Sequence, residues 1–185
     1  MANRGINYFF DINERYRNSQ PIPQRQNPRV FISHQKKDSS VAQIVADYLL
    51  DAGIDIYFDK YDETINQNDP NSVVTAIKRG IENSSHMLVL FSQNTFGSMW
   101  VPWEIGYAYN SPITLSVLRL KGVDNSKLPD YLKVVKMVMS IWQLNDMIAG
   151  ITKSTSQQLI LEQRIFNESS QSNPLLNYID SYFTK

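Results

Sequence analysis

Residues 29 to 59 read RVFISHQKKDSSVAQIVADYLLDAGIDIYFD, and two changes of hydrophobic period inside that stretch decide the fold class. RVFIS (29–33) is a short apolar run rich in branched and aromatic side chains, the composition of a buried strand. From Asp38 the period lengthens. Val41, Ile44, Val45, Tyr48 and Leu49 fall on one helical face, Asp38 or Ser39 is placed to cap its start, and Gly53 is placed to stop it. IDIYF (54–58) then returns to strand character. Strand, helix and strand within roughly thirty residues predict a parallel β-α-β unit.

The same alternation continues downstream. DKYDETINQNDPNS (59–72) is long and polar for a connection inside a compact domain and is expected to form a flap. Val73, Val74, Ile77 and Ile81 make a helical stripe, HMLVLF (86–91) a third strand, SMWVPWEIGYAY (98–109) a third helix and ITLSVL (113–118) a fourth strand. DYLKVVK (130–136) reads as a short helix and MVMSIW (137–142) as a fifth strand. Strands alternating with helices imply an open, parallel, five-stranded α/β sheet covered on both faces.

Upstream, NSQPIPQRQNP (18–28) has prolines, polar residues and no apolar periodicity, so residues 1–28 are expected to be an extension and linker ahead of a domain spanning 29–150. Residues 151–185 are expected to form a C-terminal helical extension. Its first helix runs through Leu159 to Phe166, and Leu175, Leu176, Tyr178, Ile179, Tyr182 and Phe183 recur at helical spacing after Pro174. These apolar faces need cover, from the same domain or from a partner.

Composition narrows the function classes. The 185 residues are 42% hydrophobic, enough for a sizeable core, and 18 basic side chains balance 18 acidic ones. No global field draws the chain to nucleic acid or to an anionic membrane. With no cysteine there is neither a disulfide framework, nor a thiolate nucleophile, nor a Cys-ligated zinc. The opening MANRGINYFFDINERYRNSQ has no apolar run of signal-peptide length and no stretch approaches a membrane span, so a soluble, cytoplasmic protein is expected.

In open parallel sheets, ligands bind outside the carboxyl ends of the strands, which makes the topology a shortlist of site residues. Ser33, His34, Gln35, Lys36, Lys37 and Asp38 follow the first strand, Asp59 follows the second, and Ser92, Gln93 and Asn94, then Trp100 and Glu104, follow the third. Trp100 and Glu104 are four apart and share a helical face, and Pro102 marks an early turn. Near a helix N-terminus the macrodipole favours an ionised Glu104. Two readings of that residue stand: an ordinary N-terminal charge, with Trp100 and Trp103 packed in the core, or a carboxylate facing a ligand beside an aromatic wall. Ser33 and His34 lack a third residue for a triad, His34 and His86 do not make a metal motif, and no GxGxxG or P-loop pattern is present. No metal and no resident cofactor are expected.

Taken together, these residues resemble the Toll/interleukin-1 receptor (TIR) domain family, its bacterial members most closely, from Arg29 to about Trp142. Ser33, His34 and Asp38 occupy SHxxxD-like positions. Residues 81–105, IENSSHMLVLFSQNTFGSMWVPWEI, are similar to the family's S-x-x-x-V-L-x-S stretch followed by S-x-W-V-x-x-E. The resemblance implies a flavodoxin-like three-layer sandwich. In TIR domains with enzymatic activity the glutamate of the last motif is required to cleave nicotinamide from NAD, and Glu104 stands at that position. The resemblance places Trp100 on the substrate cleft, with Ser33, His34, Gln35, Asp59 and Ser92 near it. It also implies NAD as substrate, self-association through TIR surfaces, and a diffusible product acting on a separate effector in antiphage defence. The sequence departs from the family in the long loop, where Asn68-Asp69 replaces Gly-Asp; Asn tolerates left-handed backbone.

The chemistry agrees with a lone carboxylate. Glycoside hydrolysis usually takes two, because a sugar alkoxide must be protonated to leave. Nicotinamide begins as a cationic pyridinium and departs neutral, so an ionised group that steadies oxocarbenium-like charge is sufficient. Water as acceptor gives ADP-ribose; an internal nucleophile gives a cyclic isomer. Two other functions remain open on the sequence: a non-catalytic TIR adaptor and a nucleoside deoxyribosyltransferase-like enzyme. A phosphoacceptor receiver domain is set aside, since Ser92 and Trp142-Gln143 stand where its aspartate and lysine belong.

Overall fold

The computed structural model describes residues 4–7, 28–58 and 70–182. Strands β1 (Arg29–Ser33), β2 (Asp55–Tyr57), β3 (His86–Phe91), β4 (Thr114–Arg119) and β5 (Lys136–Val138) form one sheet in the order β2-β1-β3-β4-β5, with every pairing parallel. The helices are α1 (Ser39–Asp51), α2 (Pro70–Glu82), α3 (Trp100–Tyr109), α4 (Ile141–Thr152) and α5 (Ser156–Leu161). This is the flavodoxin-like strand order.

Alternation along each strand divides the apolar residues between two cores. Val30, Ile32, Ile56, Leu88, Leu90 and Leu118 pack against α1, α4 and the C-terminal segment. Phe31, Tyr57, Met87, Val89, Phe91 and Val117 pack against Ile81 of α2 and against Val101, Ile105 and Ala108 of α3. The chain moves outward from β1 to β2 and then back past β1 to β3, and a constant crossover hand sends helices from the two directions to opposite faces. That reversal creates the three layers, and it makes the ends of β1 and β3 the switch point where such sheets carry their ligand crevice.

Several expectations are corrected. The fifth strand stops at Val138 and does not continue to Trp142. Buried Ser140 ends it by accepting a hydrogen bond from the Gln143 amide at 3.2 Å, which starts α4 and turns Ile141, Leu144 and Ile148 into the core. α4 has no counterpart among the elements expected from the sequence. The run MVMSIW reads equally as strand, and that reading hid the Ser cap and the helical spacing behind it. Within DYLKVVK only Asp130–Leu132 forms a single 3-10 turn.

The C-terminal extension is less helical than expected. α5 ends at Leu161, and residues 174–178 run as turns, although the Asn173 side chain accepts from the Leu175 amide at 3.0 Å as a helix cap would. Leu159, Ile165, Leu175 and Ile179 are nevertheless in the core, so these side chains find cover within the domain. A buried polar cluster fixes the segment: the Tyr48 hydroxyl donates to Asn145 Oδ1 at 2.8 Å and accepts from the Phe166 amide at 3.1 Å. Burial pushes the Tyr48 hydroxyl up to about 12, and it remains a donor.

The N-terminus also departs from expectation. Residues 4–7 lie along the outer edge of β2, where the Ile56 amide donates to the Ile6 carbonyl at 2.9 Å and Asn7 bridges Ile56. A Cβ on Gly5 would meet the Ile54 carbonyl at 2.0 Å, so only glycine allows this approach. Arg4 pairs with Asp47 and Asp51 of α1 at 2.6 and 2.7 Å. An edge strand presents unpaired amides, and these four residues cover them. The linker before Pro28 and the expected flap before Pro70 lie outside the described residues.

Candidate functional site

The crevice between β1 and β3 is the topological switch point, the place where open α/β sheets bind ligands. Ser33 is the last residue of β1 and Glu104 lies one turn into α3. The fold brings them together: the Ser33 hydroxyl donates a hydrogen bond to Glu104 Oε2 across the crevice. Glu104 is only 8% exposed, and a buried carboxylate is tolerated only with such partners.

Burial along α3 inverts the ordinary-packing reading of SMWVPWEIGYAY. The carboxylate is inside, whereas Trp100 is 42% exposed and Trp103 half-buried. Val101, Ile105 and Ala108 form the core stripe, and position 104, adjacent to that stripe, turns inward with it. The indoles line the outer flank. Trp100 meets Trp103 edge-on at 6.2 Å, Trp103 stacks on Tyr107 at 5.6 Å, and the Tyr107 hydroxyl donates to the Glu82 carboxylate. Trp100 precedes Glu104 by one turn and stands on the same side of the helix, at the rim.

The expected help from the helix dipole is small, because α3 begins at Trp100 and Glu104 is its fifth residue, past the first turn where that field acts. The Ser33 hydroxyl is one donor that holds the carboxylate instead. Pro102 falls in the first turn, where its missing amide costs nothing, and Ser98 Oγ accepts from the Val101 amide at 3.2 Å.

The other expected site residues surround this pair with different tasks. Ser92 is buried at the end of β3; its hydroxyl donates to Asp38 Oδ2 at 2.6 Å and accepts from the Asn94 amide at 3.0 Å. Asn94 Nδ2 donates to the other Asp38 oxygen at 2.7 Å. Asp38 was expected to cap α1, yet its side chain makes no cap bond and ties the loop after β1 to the loop after β3. Sequence reasoning missed this brace, since a carboxylate just before a helix reads as a cap and the Ser92 partner is 54 positions away. Gln35 Oε1 accepts from the Lys36 amide at 2.7 Å and shapes the turn after β1.

His34 is half-buried, with its ring tilted against Phe58 at 5.1 Å and Nε2 3.4 Å from Ser39 Oγ. Burial lowers its pKa, although Asp38 pulls the other way, so the ring is neutral near pH 7. The Ser33 hydroxyl is directed to Glu104, which rules out a Ser33–His34 nucleophile and base pair in this arrangement. Asp59 lies outside the described residues, as does Asn68-Asp69. Among the described residues no group of three His, Asp or Glu side chains is placed to hold a metal ion, and no helix is long and apolar enough to cross a membrane.

A family model described as the TIR domain matches residues 30–149. Comparison with curated proteins gives no match. Among solved structures, the chain is similar to the TIR domain of a Toll-related receptor from Hydra magnipapillata, with 18% identity over 73% of this chain and 97% of that one and a TM-score of 0.48. It is also similar to a metazoan TIR-STING receptor from C. gigas, solved in complex with 2′,3′-cGAMP, with 23% identity over 72% of this chain and a TM-score of 0.50. The match spans 43% of that receptor chain, and the likeness concerns the fold.

Proposed function

This chain belongs to the TIR domain family, and on that premise we propose that it cleaves the nicotinamide–ribose bond of NAD, with Glu104 as the catalytic carboxylate. The observation that carries the reading is the inversion on α3: a sequence that leaves Trp100 exposed and Trp103 half-buried while burying a glutamate at the ligand-binding rim has used its core position for a carboxylate. Burying an ion is costly, and function is the usual reason to retain it.

In this reading the Ser33 hydrogen bond fixes Oε2, and the second carboxylate oxygen accepts from the ribose hydroxyls of the substrate. As the C–N bond lengthens, positive charge spreads over the ribose ring carbon and oxygen. A fixed carboxylate in a partly desolvated crevice stabilises that charge more than one in water. The bonding pair leaves with nicotinamide, which departs neutral and takes no proton. Exposed Trp100 offers a flat face at the mouth of the same crevice. His34, neutral and packed on Phe58, contributes shape and no charge.

Water captures the oxocarbenium to give ADP-ribose, or a nucleophile of the same molecule closes a cyclic isomer. The bacterial resemblance supports a role in antiphage defence, with the product diffusing to a separate effector, and self-association through TIR surfaces is part of the proposal. Incubation with NAD followed by chromatography of nicotinamide and mass spectrometry of the second product tests it. Release by the wild type and none by Glu104→Gln is the expected result. A well-folded, self-associating wild type that leaves NAD intact makes the chain an adaptor, and turnover of nucleosides in place of NAD makes it a deoxyribosyltransferase-like enzyme.

A further inference from the structure

At the opposite edge of the sheet, where the strands begin, a cleft of about 530 Å³ opens between the sheet and the end of α4. Its floor breaks the rule that a sheet face beneath a helix is apolar. On the face that carries Leu88, Leu90, Leu118 and Val138 toward α4, the same strands begin with His86 on β3, Thr114 and Ser116 on β4, and Lys136 on β5. The register sets these side by side, His86 opposite Thr114 and Ser116 opposite Lys136, about 4.8 Å apart as neighbouring strands require.

Ser116 is the informative member. It is 3% exposed in the middle of the sheet, and its hydroxyl, which makes no hydrogen bond to a described residue, is not sealed from solvent but opens onto the cleft. Buried hydroxyls in folded proteins are nearly always paired, and one facing a cavity is paired by whatever occupies it. Lys136 supplies a cation on one wall and Asp146 of α4 an anion on another. Both side chains are exposed at the cleft, where a simple anion would suit Lys136 and be opposed by Asp146, and a neutral polyol would gain nothing from Lys136. A molecule bearing one anionic group and adjacent hydroxyls answers both: the anion on Lys136, the hydroxyls shared among Asp146, Thr114 and Ser116.

We infer that this cleft is a second ligand site, distinct from the Glu104 crevice, for a small phosphorylated or carboxylated polyol of the sugar-phosphate class. The cleft volume is that of ordinary small-molecule sites.

Amide NMR titration of the full chain with ribose 5-phosphate tests the inference, with inorganic phosphate and ribose as separate arms. Ribose 5-phosphate is expected to shift the resonances of His86, Thr114, Ser116 and Lys136, and Ser116→Val and Lys136→Met are each expected to weaken binding about tenfold. Thermal melting reports whether either variant has lost its fold, and Lys136→Met, an exposed change, retains the test if Ser116→Val does not fold. Glu104→Gln is expected to bind as the wild type does, which separates this site from the proposed reaction. The inference is overturned by an absence of shifts at about 10 mM ligand, by binding that both variants leave intact, or by inorganic phosphate binding as tightly as ribose 5-phosphate.

Discussion

Two buried serines of the sheet, Ser33 at the carboxyl edge and Ser116 at the amino edge, are treated in opposite ways, although elsewhere at the amino edge Ser85 pairs with Arg29 and His86. At the carboxyl edge polar residues are paired with one another across the switch point: Ser33 with Glu104, and Ser92 and Asn94 with Asp38. At the amino edge Ser116 is as little exposed, yet its hydroxyl makes no hydrogen bond to a described residue and opens onto the cleft. The first edge is held in place by its own hydrogen bonds, so its geometry exists before a ligand arrives. Ser116 leaves hydrogen-bonding capacity unused. The contrast teaches that burial of polar groups alone does not mark a reaction centre; the pairing pattern separates a pre-organised charge from an open docking surface.

Glu104→Gln should break the comparison most sharply. It keeps the size and a hydrogen bond to Ser33 but removes the charge, so nicotinamide release from NAD should fall by about 100-fold or more with little change in melting temperature. Unchanged turnover would return Glu104 to a structural role. Asp38→Ala should cost about 1–3 kcal/mol in urea unfolding, because it strands the buried Ser92 hydroxyl as well as removing a carboxylate. A loss of only a few tenths would mean the inter-loop brace is idle.

Ser33→Ala should leave the fold intact and lower turnover by about tenfold through a less well-held Glu104, an effect read as kcat at saturating NAD. Acid should weaken the domain through His34. Its folded pKa is lowered, so the protonated ring favours the unfolded chain; stability is complete above the ordinary histidine value of about 6.5 and is lost as pH falls through the lowered folded value. His34→Gln should flatten that part of the urea-midpoint profile. Least of all, Ser116→Val should leave the melting temperature unchanged or slightly raised, since it removes a hydroxyl that gains no protein hydrogen bond, whereas the paired Ser92→Val should lower it.

The strand and helix order was legible because alternation and helical spacing are local signals, clear wherever an apolar run is bounded by turn residues. They failed where one run served two states. MVMSIW looked like a single strand because nothing in its composition marks Ser140 as the boundary, and Pro174 onward kept a helical spacing yet folds as turns whose Leu175 and Ile179 are buried. The candidate site was legible in part. Ser33, Ser92 and Glu104 could be assigned to one edge from topology, but the choice of partner could not: Ser92 went to Asp38, and Gln35 to its own turn.

By itself the sequence determined the layer plan, because the hydrophobic period is a property of neighbours a few residues apart and the crossover hand follows from chain chirality. Only the tertiary structure decided that Glu104 lies inside and the tryptophans outside, that Asp38 joins two loops and does not cap a helix, and that residues 4–7 cover the β2 edge. Each of these depends on contacts across 43 to 71 positions of chain, where the energy of burying or pairing a group is set by what the fold brings beside it.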